Sequence, residues 1–482
     1  MLLKRNSKVL HETFGPGVVR EVVGQTVAVE FFGEVIDVLS NELELEVEIP
    51  AAVAVGPPAR KNLLFRQAFE AINLGVVPPH PEELIALSIG GGAIAERIIG
   101  WLGTAQKDGV CKVFFGDYGA GKSHHLRMCQ AVALSNGWVV SSVELDPKNA
   151  DAAKPHLVYR AIISGLRFPA RVEGPQCGSF FDFIGEARRF WQQAGQAPYL
   201  KSSPWYRATF EALRRYPHGD EREYLDACDW LAGEPVQYAN VKAFCRDRSG
   251  TFPPSMPRSR ETAEVYVLHL VILHHMFRAL GFKGLLIILD EAEHIRPYSA
   301  LRRGRATNLF DLLARCAHKP LLNVPDPFPN DHGHELPRFW AEGPHFGLLV
   351  GLTEGDTFSD PLLPLRDACV FLHTKEDIER LVSPSPEHYQ HWCSEFFRRC
   401  NVAFPAATAP ISDETSRRRL ARVLTDAYKK QSATERTLRL WTKLATLVLS
   451  ICFVGEVGSV DEIANVVSKC AREAAGETLP WE

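Results

Sequence analysis

The spacing of apolar and polar positions changes period several times along this chain. Over residues 11–49 short apolar alternations are broken by Gly15, Gly17, Gly24 and Gly33 at turn spacing, and valines 18, 27, 29 and 38 mark half-buried strands. The pattern predicts a miniature barrel of four or five strands. Residues 49–62 carry the glycine and prolines of a linker. Leu64, Ala68, Ala71 and Ile72 then give a helical stripe that Gly75 and Pro78 stop. A helix through residues 93–102 leads into an apolar strand at 110–115.

The next helix follows a glycine-rich turn and ends at Gly137, and a β-branched strand occupies residues 138–145. This strand–loop–helix–strand order is the mark of an α/β fold. Residues 151–169 read as helix. Residues 170–258 are rich in aromatics, arginine and proline with helical stretches, which predicts an inserted helical subdomain or lid. The sheet resumes at 281–291 and 345–354, with one more strand expected at 370–373. From residue 376 onward the pattern is helical, and Ser459 stands where the last helix needs a cap. Three domains are expected: a β-barrel module at 1–49, an α/β core at 60–375 with the insertion at about 170–258, and a helical domain at 376–482.

Composition narrows the reading. The 482 residues are 46% hydrophobic and 23% charged, enough for several buried cores. Fifty-four basic against 58 acidic side chains give a net charge of -4, so any contact with nucleic acid needs a local patch. The eleven cysteines include no CxxC, and Cys111, Cys369 and Cys452 lie in apolar runs, which fits reduced, buried thiols and a cytoplasmic setting. The basic start has no long apolar segment, and the run at 444–454 is too short to span a bilayer, so no membrane partner is expected.

Two motifs carry chemistry. Gly116, Asp117, Tyr118, Gly119, Ala120, Gly121, Lys122 and Ser123 match GxxxxGKS, the Walker A spelling, between an apolar strand and a helix. Glycines there let backbone N–H groups turn inward around phosphate oxygens, and the following helix points its N-terminus at the same charge. Lys122 can reach the outer phosphates of ATP, and the Ser123 hydroxyl can hold Mg2+. The second motif is the strand Leu285–Leu289 ending in Asp290 and Glu291, a Walker B pattern. Asp290 is the expected metal ligand, and Glu291 the base that polarises the attacking water. The pair points to the P-loop branch whose catalytic glutamate follows the metal aspartate.

Thr353, at the end of the next strand, stands where such ATPases put a polar sensor, or is a plain strand-end threonine. Arg296, Arg302, Arg303 and Arg305 offer a finger for a neighbouring subunit's nucleotide, a DNA contact, or a solvated surface. The basic run from Arg417 to Lys443 can meet phosphates, or hold one sensor arginine, Arg436 or Arg439. Glu291-Ala292-Glu293-His294 overlaps the DEAH helicase spelling, but recognisable strand-coupling motifs do not follow. The histidine pairs 124/125 and 274/275 are sequence neighbours that point different ways, and His332 and His334 lack cysteines at zinc spacing.

Two resemblances extend these readings. Through the FGxG turn at 14–17, the first module resembles SH3-like or Tudor-like barrels, either as a structural cap or as a protein or nucleic-acid contact. The larger part of the chain, residues 60–480, resembles the smaller P-loop ATP-binding protein of bacteriophage-exclusion (BREX) defence systems. RQAFEAINLGVVP at 66–78, GDYGAGKSHHL at 116–126, VVSSVELDPKNA at 139–150, HLVYRAI at 156–162 and ILDEAE at 288–293 carry that likeness. It implies an AAA+-like or initiator-like ATPase that uses ATP and Mg2+ beside other defence proteins, with Arg66 near the adenine. DNA, protein partners of a defence complex and further copies of the chain all stay open as partners. Three functions follow: a defence ATPase acting on DNA or a DNA-bound complex, a nucleotide-switched scaffold that regulates partners, and a helicase.

Overall fold

A computed structural model describes residues 8–11, 15–23, 26–31, 34–39, 43–45, 57–78, 80–116, 119–170, 176–216, 222–257, 262–319, 334–353, 378–381, 384–430, 438–454 and 459–474. The chain divides into two compact units, Met1–Leu63 and Leu64–Glu482.

In the first unit β1 (Lys8–His11), β2 (Gly15–Val23), β3 (Thr26–Phe31), β4 (Glu34–Leu39) and β5 (Leu43–Leu45) form an antiparallel sheet in the order β4-β3-β2-β1-β5. Val19, Val27, Val29 and Val38 are buried, and Val19 faces Val29 while Val27 faces Val38 across the ladder. One-sided burial on alternate positions is what specifies register here. The turn expected at 14–17 is strand from Gly15 on, because Gly15, Pro16 and Gly17 pair with His11, Leu10 and Val9. Phe14 and the Val18 side chain lie outside the described residues.

Helix α1 (Pro57–Leu74) runs through the division at Leu63. The second unit goes on in chain order with α2 (Pro81–Ala86), α3 (Gly91–Asp108), β6 (Val110–Gly116), α4 (Lys122–Ser135), β7 (Val139–Glu144), α5 (Pro155–Ser164) and β8 (Leu166–Arg167). Then come α6 (Phe180–Arg189), α7 (Trp191–Ala194), α8 (Pro204–Arg215), α9 (Arg222–Ala232), α10 (Tyr238–Ser249) and α11 (Ala263–Ala279). The rest is β9 (Leu285–Asp290), α12 (Ala300–Ala317), β10 (Gly347–Thr353), β11 (Ile378–Arg380), α13 (Pro386–Ala403), α14 (Glu414–Lys430), α15 (Leu438–Val454) and α16 (Val460–Ala474). The expected linker is shorter than residues 49–62, because α1 already starts at Pro57. Prolines are tolerated in a helix's first turn, where their missing N–H has no partner to lose.

Strand order is β11-β6-β10-β9-β7-β8, parallel except for β8 at the edge. Leu285 to Leu289 in β9 are all fully buried, the continuous apolar run expected of a strand covered on both faces. Leu126, Met128, Cys129 and Val132 of α4 pack on one face with Phe114, Val140, Leu286 and Ile288. Ile287 and Leu289 face the other way, into a core shared with α5, α11, α12 and the helical insertion α6–α10. Parallel strands have one common C-terminal edge, so Gly116, Glu144, Asp290 and Thr353 end together.

Two elements depart from the sequence reading. The edge strand β11 begins three residues beyond the boundary at 375, so the sheet reaches into the region read as helical. The strand expected at 370–373 lies outside the described residues. Phe65, Ala68, Phe69 and Ile72 of α1 pack with α13–α16 rather than on the sheet. Ser459 caps α16 in a reciprocal box: its backbone N–H donates to Glu462 Oε2 at 3.1 Å, and its hydroxyl accepts from the Glu462 N–H at 3.3 Å. Among the described residues no helix is long and apolar enough to cross a membrane.

Burial leaves several imidazoles neutral. It lowers the pKa of His124, His125 and His275 to about 4 and of His269 to about 3. An unfolded chain protonates these rings near pH 6.5. Between the two values the unfolded state binds more protons, so stability is full above pH 6.5 and falls as pH drops towards 4. The melting temperature is therefore expected to be flat above about pH 7 and to fall between about 6.5 and 4.5, before most carboxylates titrate. Thermal unfolding followed by fluorescence across that window checks this; a flat profile contradicts it.

Candidate functional site

The site is built on that common strand edge. Gly119 and Gly121 sit at φ +81° and +92°, in the left-handed region where glycine is at ease, and carry the chain from β6 into α4. Lys122 is buried, with Nζ donating to Gly116 O at 3.0 Å, so the ammonium is held inside the loop. A Cβ on Gly116 would lie 2.8 Å from Leu381 O, and the Leu381 N–H donates to Phe115 O at 2.7 Å. The chain just after β11 thus braces the loop from behind. From the C-terminal bundle, the Leu438 N–H donates to Gly119 O at 3.1 Å, and the Leu438 Cδ1 lies 3.0 Å from where a Cβ on Gly121 would stand.

Ser123 Oγ, in the first turn of α4, donates to Asp290 Oδ2 at 2.7 Å, although β10 lies between β6, which leads into the loop, and β9, which ends in Asp290. The crossing needs Gly351: a Cβ there would meet Asp290 Oδ1 at 2.2 Å and Leu126 Cδ1 at 2.8 Å. A hydroxyl beside a carboxylate is a hard-oxygen donor set that suits Mg2+, which takes few protein ligands and completes its shell with water and phosphate oxygens.

Glu291 leaves the strand at φ +59° and ψ +36°, one of two non-glycine residues with positive φ among those described. Its N–H donates to Asp290 Oδ1 at 2.9 Å, and its Oε2 pairs with His294 Nε2 at 3.0 Å. The short 3-10 turn after it, Ala292–Ile295, is tied to the tip of β10: Glu293 Oε2 accepts from the Thr353 N–H at 3.1 Å, and Arg296 donates to Thr353 O. Glu144 ends the neighbouring strand, paired in register with Asp290. The Glu291 charge, then burial, then Asp290 raise the Glu144 carboxyl above its ordinary pKa.

The structure therefore brings Gly116, Gly119, Ala120, Gly121, Lys122, Ser123, Asp290, Glu291 and Thr353 to one edge, with Thr353 in register beside Gly116. Asp117 and Tyr118 lie outside the described residues, as does Arg436. Arg66 is elsewhere: its guanidinium donates to Ala403 O at 2.8 Å and lies 4.9 Å over the Phe404 ring, which contacts Phe453. Phe453 is at the far end of α15 from Leu438, about 20 Å along the helix axis. Arg66 is thus not brought to the loop. Arg302 is engaged inside the chain, 3.0 Å from the fully buried Asp151, which also accepts from Tyr298 at 2.7 Å. Arg303 donates to Arg296 O at 2.9 Å and to Tyr298 O at 3.2 Å.

Sequence reasoning missed His294, Glu293, Arg296 and Glu144 as partners of this edge. The three-residue spacing of Glu291 and His294 was a usable signal, since positions i and i+3 eclipse in a 3-10 turn. His124, part of the GDYGAGKSHHL stretch, bonds Ser88 Oγ through Nε2 at 2.6 Å and so ties α4 to the turn after α2. Asp146, in the LDPKNA stretch, caps its own turn by accepting from Lys148 N at 2.6 Å and Asn149 N at 2.8 Å.

Residues 63–184 match the family of the BREX system ATP-binding protein BrxC/D. The matched span holds the loop, α4, β7 and α5, together with four of the five sequence stretches that suggested the likeness. The fifth, around Asp290 and Glu291, lies beyond it. No curated protein and no solved structure matches the chain.

Gly351→Ala is expected to displace the Asp290 carboxylate and break its bond to Ser123 while the chain still folds. A hydrogen bond to a charged group contributes about 1.5–3 kcal/mol, so Mg2+-dependent nucleotide binding should weaken about 10- to 100-fold. Titration with a fluorescent ATP analogue, with and without Mg2+, measures this; unchanged Mg2+ dependence contradicts it.

Proposed function

We propose that the chain is an ATP-hydrolysing protein of a bacteriophage-exclusion defence system, with an AAA+-like P-loop core, acting on DNA or on a DNA-bound complex. The observation that carries the catalytic part is the reach of Asp290 across β10 to Ser123 at 2.7 Å, beside a loop that holds Lys122 inward. One intervening strand between the loop strand and the acid strand supports the branch with a catalytic glutamate. The family match over the loop supports ATP as the nucleotide and phage defence as the setting. The five antiparallel strands of the first unit support the SH3-like reading of that module.

In this reading the N–H groups of residues 119–123 surround the phosphates, and Lys122 neutralises them from inside the loop. Ser123 and Asp290 would hold Mg2+, which, when bound, would offset negative charge on the phosphate oxygens. Glu291 accepts the proton of the attacking water at its carboxylate, and His294 Nε2 orients that carboxylate. The Glu293 and Arg296 contacts fix the tip of β10, so that Thr353 and Glu291 keep their relative positions.

A second reading, a nucleotide-switched scaffold, is favoured by one contact. Leu438 ties the phosphate loop to the C-terminal bundle, a direct route from nucleotide to a partner surface. Turnover stimulated by DNA supports the first reading; turnover stimulated by a partner protein alone supports the second.

Lys122→Ala is expected to abolish ATP binding. Glu291→Gln should keep binding and lose about 100-fold or more in turnover, the usual contribution of a positioned base. Phosphate release and nucleotide binding, measured side by side with the parent chain, check both. Equal turnover in all three overturns the assignment.

A further inference from the structure

Three helices of the insertion finish on paired arginines: Arg188 and Arg189 in α6, Arg214 and Arg215 in α8, Arg246 and Arg248 in α10. A cation in the last turn of a helix is favoured by the helix dipole, so each pair alone carries no message. Their convergence does. The ends of α6 and α8 open on one surface depression of about 470 Å³ lined by Gly185, Arg188, Arg189, Arg214, Arg215 and Tyr216, four guanidinium groups and no carboxylate. The end of α10 joins the rim: Arg215 Nη1 donates to Arg248 O at 3.3 Å, and the Arg248 guanidinium lies 5.2 Å from the Tyr216 ring centre.

These arginines are mounted on aromatic rings. Arg188 lies over Tyr224 at 5.5 Å, Arg189 over Phe190 at 5.3 Å and Arg214 over Trp191 at 5.9 Å. Such stacking occupies the guanidinium face and restricts its rotamers, while Arg214 donates in plane to Glu211 and Arg215 to Arg248 O. Acids balance the group in part: Glu211 pairs with Arg214 at 2.9 Å and with Arg215 at 3.8 Å, Glu186 with Arg189 at 3.7 Å and Asp247 with Arg246 at 3.0 Å. The neighbouring helix α9, whose Tyr224 lies under Arg188, carries Glu223, Asp226 and Asp229. The positive charge is therefore concentrated in the lining of the depression itself, in a chain of net charge -4. The depression adjoins a second one of about 240 Å³ through Trp191, which Arg214 overlies, and Glu211, which Arg214 pairs with; Lys201 and Arg207 line that second depression.

We propose that this arginine-lined surface of the helical insertion binds the phosphate backbone of a nucleic acid. It rests on the reading above that the chain works on DNA, and it names the surface that makes the contact. Planar donors arriving from three helix ends suit a chain of repeated phosphates rather than one isolated anion. A concave surface lined by stacked guanidinium groups matches a backbone lying in it better than a flat lipid headgroup layer.

The test titrates the full-length chain with a fluorescent single strand of about 30 bases and with its duplex, at about 50 and 200 mM salt. The parent chain is expected to bind at least one of them, more weakly at higher salt. The fourfold variant R188Q/R189Q/R214Q/R215Q should bind about 10- to 100-fold more weakly, with a salt slope smaller by about 3, while ATP binding is unchanged. The matching fourfold lysine variant keeps the charge and should recover most of the affinity; it decides the matter if the glutamine variant does not fold. Equal nucleic-acid affinity in the parent and the glutamine variant overturns the surface and leaves the DNA reading standing. Equal weakness of folded lysine and glutamine variants overturns the phosphate-charge account. A parent chain that binds neither strand nor duplex overturns both the DNA reading and the surface. Binding to vesicles of about 30% phosphatidylserine without binding to nucleic acid overturns the proposal in favour of a membrane partner.

Discussion

The absence of one methyl group at Gly351 governs this site. β10 lies between the strand that leads into the glycine-rich loop and the strand that delivers the acids, and α4, which carries Ser123, packs over it. Asp290 meets Ser123 by leaning over Gly351 of the middle strand. With a Cβ at 351 only 2.2 Å from Asp290 Oδ1, that path would be blocked. Gly116 meets a similar constraint on the opposite side, where a Cβ would press on Leu381 O at 2.8 Å. The glycines at 119 and 121 shape the loop; those at 116 and 351 let neighbouring backbone and side chains approach it.

The second constraint is local strain at the acid pair. A non-glycine residue in the left-handed region costs about 1–2 kcal/mol, and Glu291 is there immediately after a fully buried strand. Several contacts hold it: the Asp290 carboxylate takes its N–H, His294 takes its carboxylate, and the following turn is clipped to Thr353 by Glu293 and Arg296. The tip of β10 and the Ala292–Ile295 turn thereby form one unit, because the side chains of Glu293 and Arg296 hold the N–H and the carbonyl of Thr353.

Much of this was legible in the sequence, and the physical reason is locality. The GxxxxGKS spacing, the buried strand before it and the helix after it are contained within about 25 consecutive residues, so pattern and structure coincide. The Ser459 cap and the valines at 27, 29 and 38 are equally local. Long-range packing was the illegible part. The stripe on α1 was read as Leu64, Ala68, Ala71 and Ile72, whereas Phe65, Ala68, Phe69 and Ile72 are buried, and nothing in its periodicity says that it belongs to a bundle more than 300 residues away. β11 is only three residues long, and its strand character comes from pairing with β6 rather than from composition.

Arg66 shows how far such a packing assignment reaches. A position one residue after a buried phenylalanine turns off the apolar stripe, and on a helix of the bundle it meets the end of α13 instead of the sheet edge. Its guanidinium therefore serves the junction of Ala403 and Phe404, while the bundle touches the loop through a different helix end, at Leu438. The element that comes closest to the nucleotide loop from the bundle is thus not the one nearest to it in sequence. Burial of Phe65, Phe69 and Ile72 keeps α1 within the bundle, and the bundle meets the loop at Leu438, the first residue of α15.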